Sequence, residues 1–222
     1  MLDMEILIIS STFVLAILMI SSLFFWYKFP EEKYTKYFSL FSLFFFIGEI
    51  LTSSRNIIPD VLSIIIGNLF LISGYIFLYI GIKALLNLEA AWHNRYIIPI
   101  LVTLLGFLIF TYIYYNVAMR IIIFSVFCVL YGSVIGWIFW KNVRKNFKII
   151  DYSSSLFFFI GVVIFILRTF WASRIEVPAN YLSTTDLMIT LAYVYLIFMI
   201  IWITIIQTIN IIKIPLAKED KK

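Results

Sequence analysis

The amino-acid sequence predicts an all-α integral membrane protein, a bundle of seven transmembrane helices with its N-terminus outside and its C-terminus cytoplasmic. Three observations carry that reading. Of 222 residues, 64% are hydrophobic and 13% are charged, where soluble domains hold ~45–50% and ~25%. The hydrophobic residues fall in unbroken runs near the ~20 residues that a helix needs to cross hydrocarbon. They do not alternate with period two, which excludes a membrane barrel. Lysine and arginine, finally, are distributed unevenly between alternate loops.

Seven runs are legible, at 6–27, 37–58, 61–86, 97–115, 117–140, 156–171 and 187–212. They form one membrane domain, residues 1–212, followed by a short basic tail at 213–222. The first run is flanked by Asp3 and Glu5 rather than basic residues, and no small-x-small site follows it. It is therefore expected to stay in the mature chain. Asp60 before the third run, residues 151–155 before the sixth and 183–186 before the seventh offer oxygens to exposed helix-start N–H groups. Pro30, Pro59, Pro99, Pro178 and Pro215 lie in loops or first turns, where a missing N–H costs least. Pro215 is expected to interrupt any continuation of the last helix. Trp26, Trp92, Trp140 and Trp171 fall at expected interfaces.

Orientation comes from counting basic residues. Of the seventeen Lys and Arg, only Arg55, Arg120, Arg168 and Arg174 belong to the loops after even-numbered spans or to the outer halves of spans. The rest cluster after spans 1, 3, 5 and 7, which makes those loops cytoplasmic. The location implied is a cell membrane, crossed several times.

All eight glycines sit inside predicted spans. Lipid gives helices little hydrophobic reason to associate, so close backbone approach at small residues supplies the contact. Gly67, Gly74 and Gly81 recur every seven residues on span 3, while Cys128, Gly132 and Gly136 recur every four on span 5. Both stripes are read as packing faces.

Composition excludes several functions. One cysteine and one histidine, His93, leave no disulfide framework and no Cys/His zinc site. No cofactor or metal is expected, and no soluble basic face exists for nucleic acid. Span 7 has no lysine between 187 and 212 to carry retinal. There is no catalytic motif, so an enzyme is not expected.

What stands out is ionisable and polar residues at depth. Glu49 and Arg168 each lie twelve residues into a span, ~18 Å from its inner edge at ~1.5 Å per residue. Asn68 enters span 3 from outside, Arg120 opens span 5 and Arg55 ends span 2. All five belong to the outer half of the bilayer, where such groups mark function unless paired or wet. Glu49 and Arg168 could form a structural ion pair or line a chamber. Three arginines against one glutamate leave two excess positive charges, which suits an anionic or strongly polar ligand.

The junction of spans 2 and 3 reads Arg55-Asn-Ile-Ile-Pro-Asp-Val-Leu-Ser63, then Gly67-Asn68, Gly74 and Gly81-Ile-Lys-Ala-Leu, with Arg120 opening span 5 and Leu167-Arg168 closing span 6. This resembles the seven-helix N-terminal sensor regions of bacterial diguanylate cyclase (GGDEF) proteins. The resemblance implies a receptor that detects a stimulus at its outer or intramembrane face and drives a cytoplasmic output through its last helix. The Gly-Gly-Asp/Glu-Glu-Phe motif is absent, so any output would come from a further domain, a partner or a homo-oligomer. The resulting expectation is a sensory module that binds a small polar or anionic ligand through Glu49, Arg55, Asn68, Arg120 and Arg168. A small transporter or channel, and a structural membrane subunit, are the alternatives.

Overall fold

A computed structural model describes residues 4–55, 57–89, 97–174 and 187–219. The described residues are helical apart from turns and one isolated bridge between Arg55 and Ile58. The helices are α1 (Met4–Lys28), α2 (Lys33–Ser53), α3 (Gly67–Leu85, entered through a π-helical turn at Val61–Ile66) and α4 (Ile97–Leu108, continued by a π turn at Ile109–Ile113). They continue with α5 (Val117–Lys141), α6 (Lys148–Ala172) and α7 (Leu187–Glu219). Six of them are long and apolar enough to cross a membrane, and the apolar part of α4, Ile98–Ile113, is shorter. This is a helical membrane bundle.

Contacts close a ring in the order α1–α2–α3–α5–α6–α7, with α7 returning to α1, while α4 packs on α5 and α3. The ring is held as helices in lipid must be held, by small residues and hydroxyls. Gly67, Gly74 and Gly81 all face α2. A Cβ on Gly67 would stand 2.9 Å from Thr52, one on Gly81 would stand 2.7 Å from Phe38, and one on Gly74 would overlap Phe45. Gly132 and Gly136 face Val162 and Phe159 of α6, and Cys128 is buried. Between helices, Ser39 donates to the Ser22 carbonyl at 2.6 Å, Ser22 to Gln207 at 3.0 Å, Ser155 to the Gly136 carbonyl at 2.8 Å, and Trp202 Nε1 to Ser154 at 3.1 Å.

Several boundaries differ from the sequence expectation. α2 ends at Ser53, not at 58, because the chain turns there and the N–H groups of Ile57 and Ile58 donate to the Ser54 carbonyl. The residue before Pro59 is also disfavoured in a helix. Asp60 is no N-cap. Its own backbone is already helical and its side chain makes no capping bond, while Leu62 and Ser63 donate to the Pro59 carbonyl. α6 starts at Lys148, eight residues before the expected 156, so Asp151 and Ser155 lie inside the helix and bond to other elements. Asn116 is the side chain that caps α5, accepting from Met119 N–H at 3.0 Å. Pro215 does not end α7, which runs through it to Glu219. One missing N–H removes a single rung near the end of a 33-residue helix. Trp92, His93, Pro178 and the expected caps at 183–186 lie outside the described residues.

Candidate functional site

The sequence-predicted polar residues converge. Glu49 projects from the last third of α2, Arg55 stands in the turn after it, and Asn68 lies in the first turn of α3. Arg120 lies in the first turn of α5 and Arg168 near the end of α6. All five line one cavity of about 70 Å³, measured as room for the centres of water-sized molecules. Since a single water needs ~10–15 Å³ of such space, the cavity holds several. Every helix contributes to the wall, α1 through Ser11, α4 through Phe107 and α7 through Tyr193 among others. The chamber therefore sits on the bundle axis, at the end where α2 finishes and α3 begins.

Two walls of opposite charge face it. On the α1–α2 side Glu49 is buried and accepts a hydrogen bond from Ser11 Oγ at 2.8 Å. Thr52 lies one turn further on and bonds back to the Gly48 and Glu49 carbonyls. On the α5–α6 side Arg120 and Arg168 are only 4% and 8% exposed. Arg120 lies 5.1 Å from the Tyr115 ring centre and Arg168 6.0 Å from that of Phe165, so part of each cation is met by an aromatic face. Among the described residues neither meets a carboxylate. An ion pair between Arg144 and Asp151 lies at the far end of the bundle. Arg120 Nη1 and Arg168 Nε are buried without a hydrogen-bond acceptor among the described residues.

Glu49 and Arg168 line the same chamber but do not form a direct ion pair. Nor does Arg120 snorkel to an interface, since its side chain is enclosed. The start of α5 adds its partial positive charge to Arg120, so the α5–α6 wall is a cationic surface. Asn68 turns its Nδ2 back to the Ile64 carbonyl at 2.6 Å. That bond satisfies an acceptor within the π turn, where the regular ladder is interrupted.

Sequence reasoning missed Ser11, Thr52 and Tyr193 in the chamber. Ser11 was findable, because it enters α1 from the end that holds Glu49 and is polar in an apolar run. A second polar cluster at the opposite end was also missed. Asp151, 0% exposed, accepts from the Arg144 backbone N–H at 2.9 Å, from its Nε at 3.0 Å and from its Nη2 at 2.6 Å, while Arg144 Nη1 donates to Asn210 at 2.7 Å. This cluster ties the α5–α6 loop to α6 and α7 beside a polar groove of about 880 Å³. Among the described residues no three His, Cys, Asp or Glu side chains group as metal ligands would. Comparison with known protein families, curated proteins and solved structures finds no match for this chain.

Proposed function

We propose that the chain is a receptor-type sensory module that takes a small anionic ligand in the axial chamber and passes its occupancy to the other end of the bundle. The observation that carries this is the pair Arg120 and Arg168. Each is a buried guanidinium with an N–H that meets no acceptor among the described residues, and both face a chamber in which no described carboxylate neutralises them by contact. Leaving such donors unmade costs more than a hydrogen bond normally returns. A bound carboxylate, phosphate or similar oxyanion would satisfy both at once, in the planar geometry guanidinium favours.

Orientation belongs to the same reading. With the N-terminus outside, the chamber opens toward the exterior half of a bacterial inner membrane, and the Arg144–Asp151–Asn210 cluster stands on the cytoplasmic side. Ligand contact with α5, α6 and α7 would then move helices whose other ends that cluster ties together. The output passes to a cytoplasmic effector domain or partner, as in the sensor regions of cyclases that the sequence resembles.

The test is a thermal-shift screen of the purified protein against small anionic metabolites and anionic lipids, repeated with Arg168→Ala. A wet binding chamber predicts that at least one anion stabilises the wild type, and that Arg168→Ala folds near-normally and loses that shift. Collapse of Arg168→Ala, with no anion stabilising the wild type, would overturn the reading in favour of a purely structural arginine.

A further inference from the structure

The chamber carries a feature that anion binding alone leaves unexplained. Glu49 is a buried carboxyl group whose hydrogen-bond donor is the Ser11 hydroxyl, and among the described residues it has no cationic partner within salt-bridge distance. A simple anion would satisfy Arg120 and Arg168 while bringing a second negative charge into the same small space as Glu49. Buried charges of one sign in a low-dielectric site repel strongly. With Glu49 ionised, the chamber has a negative end on α1–α2 and a positive end on α5–α6.

A ligand complementary to that dipole has one charge of each sign. We propose, building on the anion-binding reading above, that the ligand is a small zwitterion whose carboxylate meets Arg120 and Arg168 and whose ammonium meets Glu49. Ser11 holds the Glu49 carboxylate by its Oε1 and leaves Oε2 to the ammonium. Phe45, Leu71, Phe107 and Phe124 give the chamber an apolar lining suited to a short hydrocarbon spacer. The space for several waters, each occupying ≈30 Å³ of liquid, limits the ligand to fewer than about ten heavy atoms. An amino acid of low molecular weight fits that description in charge, size and polarity.

The experiment measures Kd by thermal shift for glycine, β-alanine and γ-aminobutyrate, each against the carboxylate that lacks its amino group, acetate, propionate and butyrate. The lengthening spacer reads the distance between the two walls. The expected result is that one amino acid binds at least tenfold more tightly than its deaminated counterpart, a difference of about 1.4 kcal/mol. Glu49→Gln should bring the two to similar affinity, while Arg168→Ala should lose both. If amino acid and carboxylate bind alike to the wild type, the zwitterion proposal falls and anion binding stands. If an amino acid binds and Arg168→Ala leaves its affinity unchanged, anion binding itself falls, and this proposal with it. The wild-type ratio needs no variant, so a Glu49→Gln chain that failed to fold would leave the test intact.

Discussion

Arg144 and Asp151 do not share their burial equally, and their removal should therefore cost unequal amounts. The Asp151 side chain has no exposure, whereas that of Arg144 retains 18% and lines a groove of about 880 Å³ that water can fill. Arg144→Ala removes the two guanidinium donors that neutralise Asp151 and leaves a carboxylate sealed among α6 and its neighbours. Breaking a buried pair from that side costs about 3–5 kcal/mol. Asp151→Ala orphans the Arg144 backbone N–H and its guanidinium, but the guanidinium keeps Asn210 and can be solvated through the groove. The three hydrogen bonds to Asp151 are lost, but water in the groove replaces those of the guanidinium, so the cost should be about 2 kcal/mol, near that of one charge-assisted hydrogen bond. Replacing both, as Arg144→Met with Asp151→Leu, should return to within about 1 kcal/mol of wild type, since no buried charge is stranded. Unfolding free energies from SDS titration in mixed micelles, followed by tryptophan fluorescence, complete the double-mutant cycle. Two single variants each costing under about 1 kcal/mol would mean a solvated surface pair. Asp151→Ala costing more than Arg144→Ala would mean that the arginine, not the aspartate, carries the desolvation.

Gly161 and Gly132 offer a graded packing test on α6 and α5. A Cβ at Gly161 would overlap the Tyr195 ring, which is held by stacking on Phe157, whereas one at Gly132 meets only Val162 at 3.2 Å. Gly161→Ala should cost about 1–3 kcal/mol, the range for overpacking, and Gly132→Ala distinctly less, both read from thermal melts in detergent. Gly74→Leu should cost at least as much as Gly161→Ala, since Phe45 and the Phe41 carbonyl close the space; a wild-type melt would mean that α3 does not seat on α2 through this stripe. For topology, single cysteines placed in the 141–148 loop of a Cys128→Ser chain should resist an impermeant thiol reagent in intact cells and react in inverted vesicles. Labelling in intact cells would reverse the orientation.

The membrane bundle was legible because hydropathy over twenty residues is a strong signal, and in lipid the backbone has few alternatives to a helix. The ring order was not, since a small residue or a serine marks a contact face without naming the helix opposite. The chamber was half legible. Charge at depth is costly enough to stand out in an apolar run, which is why Glu49, Arg55, Asn68, Arg120 and Arg168 could be named, whereas Ser11 and Thr52 carry no such cost. The absence of a direct Glu49–Arg168 pair was beyond reach, because equal depth on two helices fixes height but not the angle around the axis. Asp151 misled for a different reason. Aspartate followed by serines has the composition of a helix start, and only the return of Arg144 across the loop explains a carboxylate in the first turn that caps nothing.

The two π turns have a consequence for how the protein tolerates insertion and deletion. A π turn holds one residue more than the α-helical turn it replaces. Removing one residue from 61–66 would convert the entry to α3 into a regular turn and leave Gly67, Gly74 and Gly81 seated on α2. Removing one from 68–80 would instead rotate part of that stripe by about 100° relative to the rest, given 3.6 residues per turn. The same comparison holds on α4 between 109–113 and 98–108. The length of this chain is thus negotiable at two places, both in segments that adjoin the chamber end of the bundle, and elsewhere in these helices it is fixed by their neighbours. A register shift confined to a π turn would move Asn68 relative to Pro59 without unseating α3, a route by which sequence change could reshape the chamber while the bundle keeps its order.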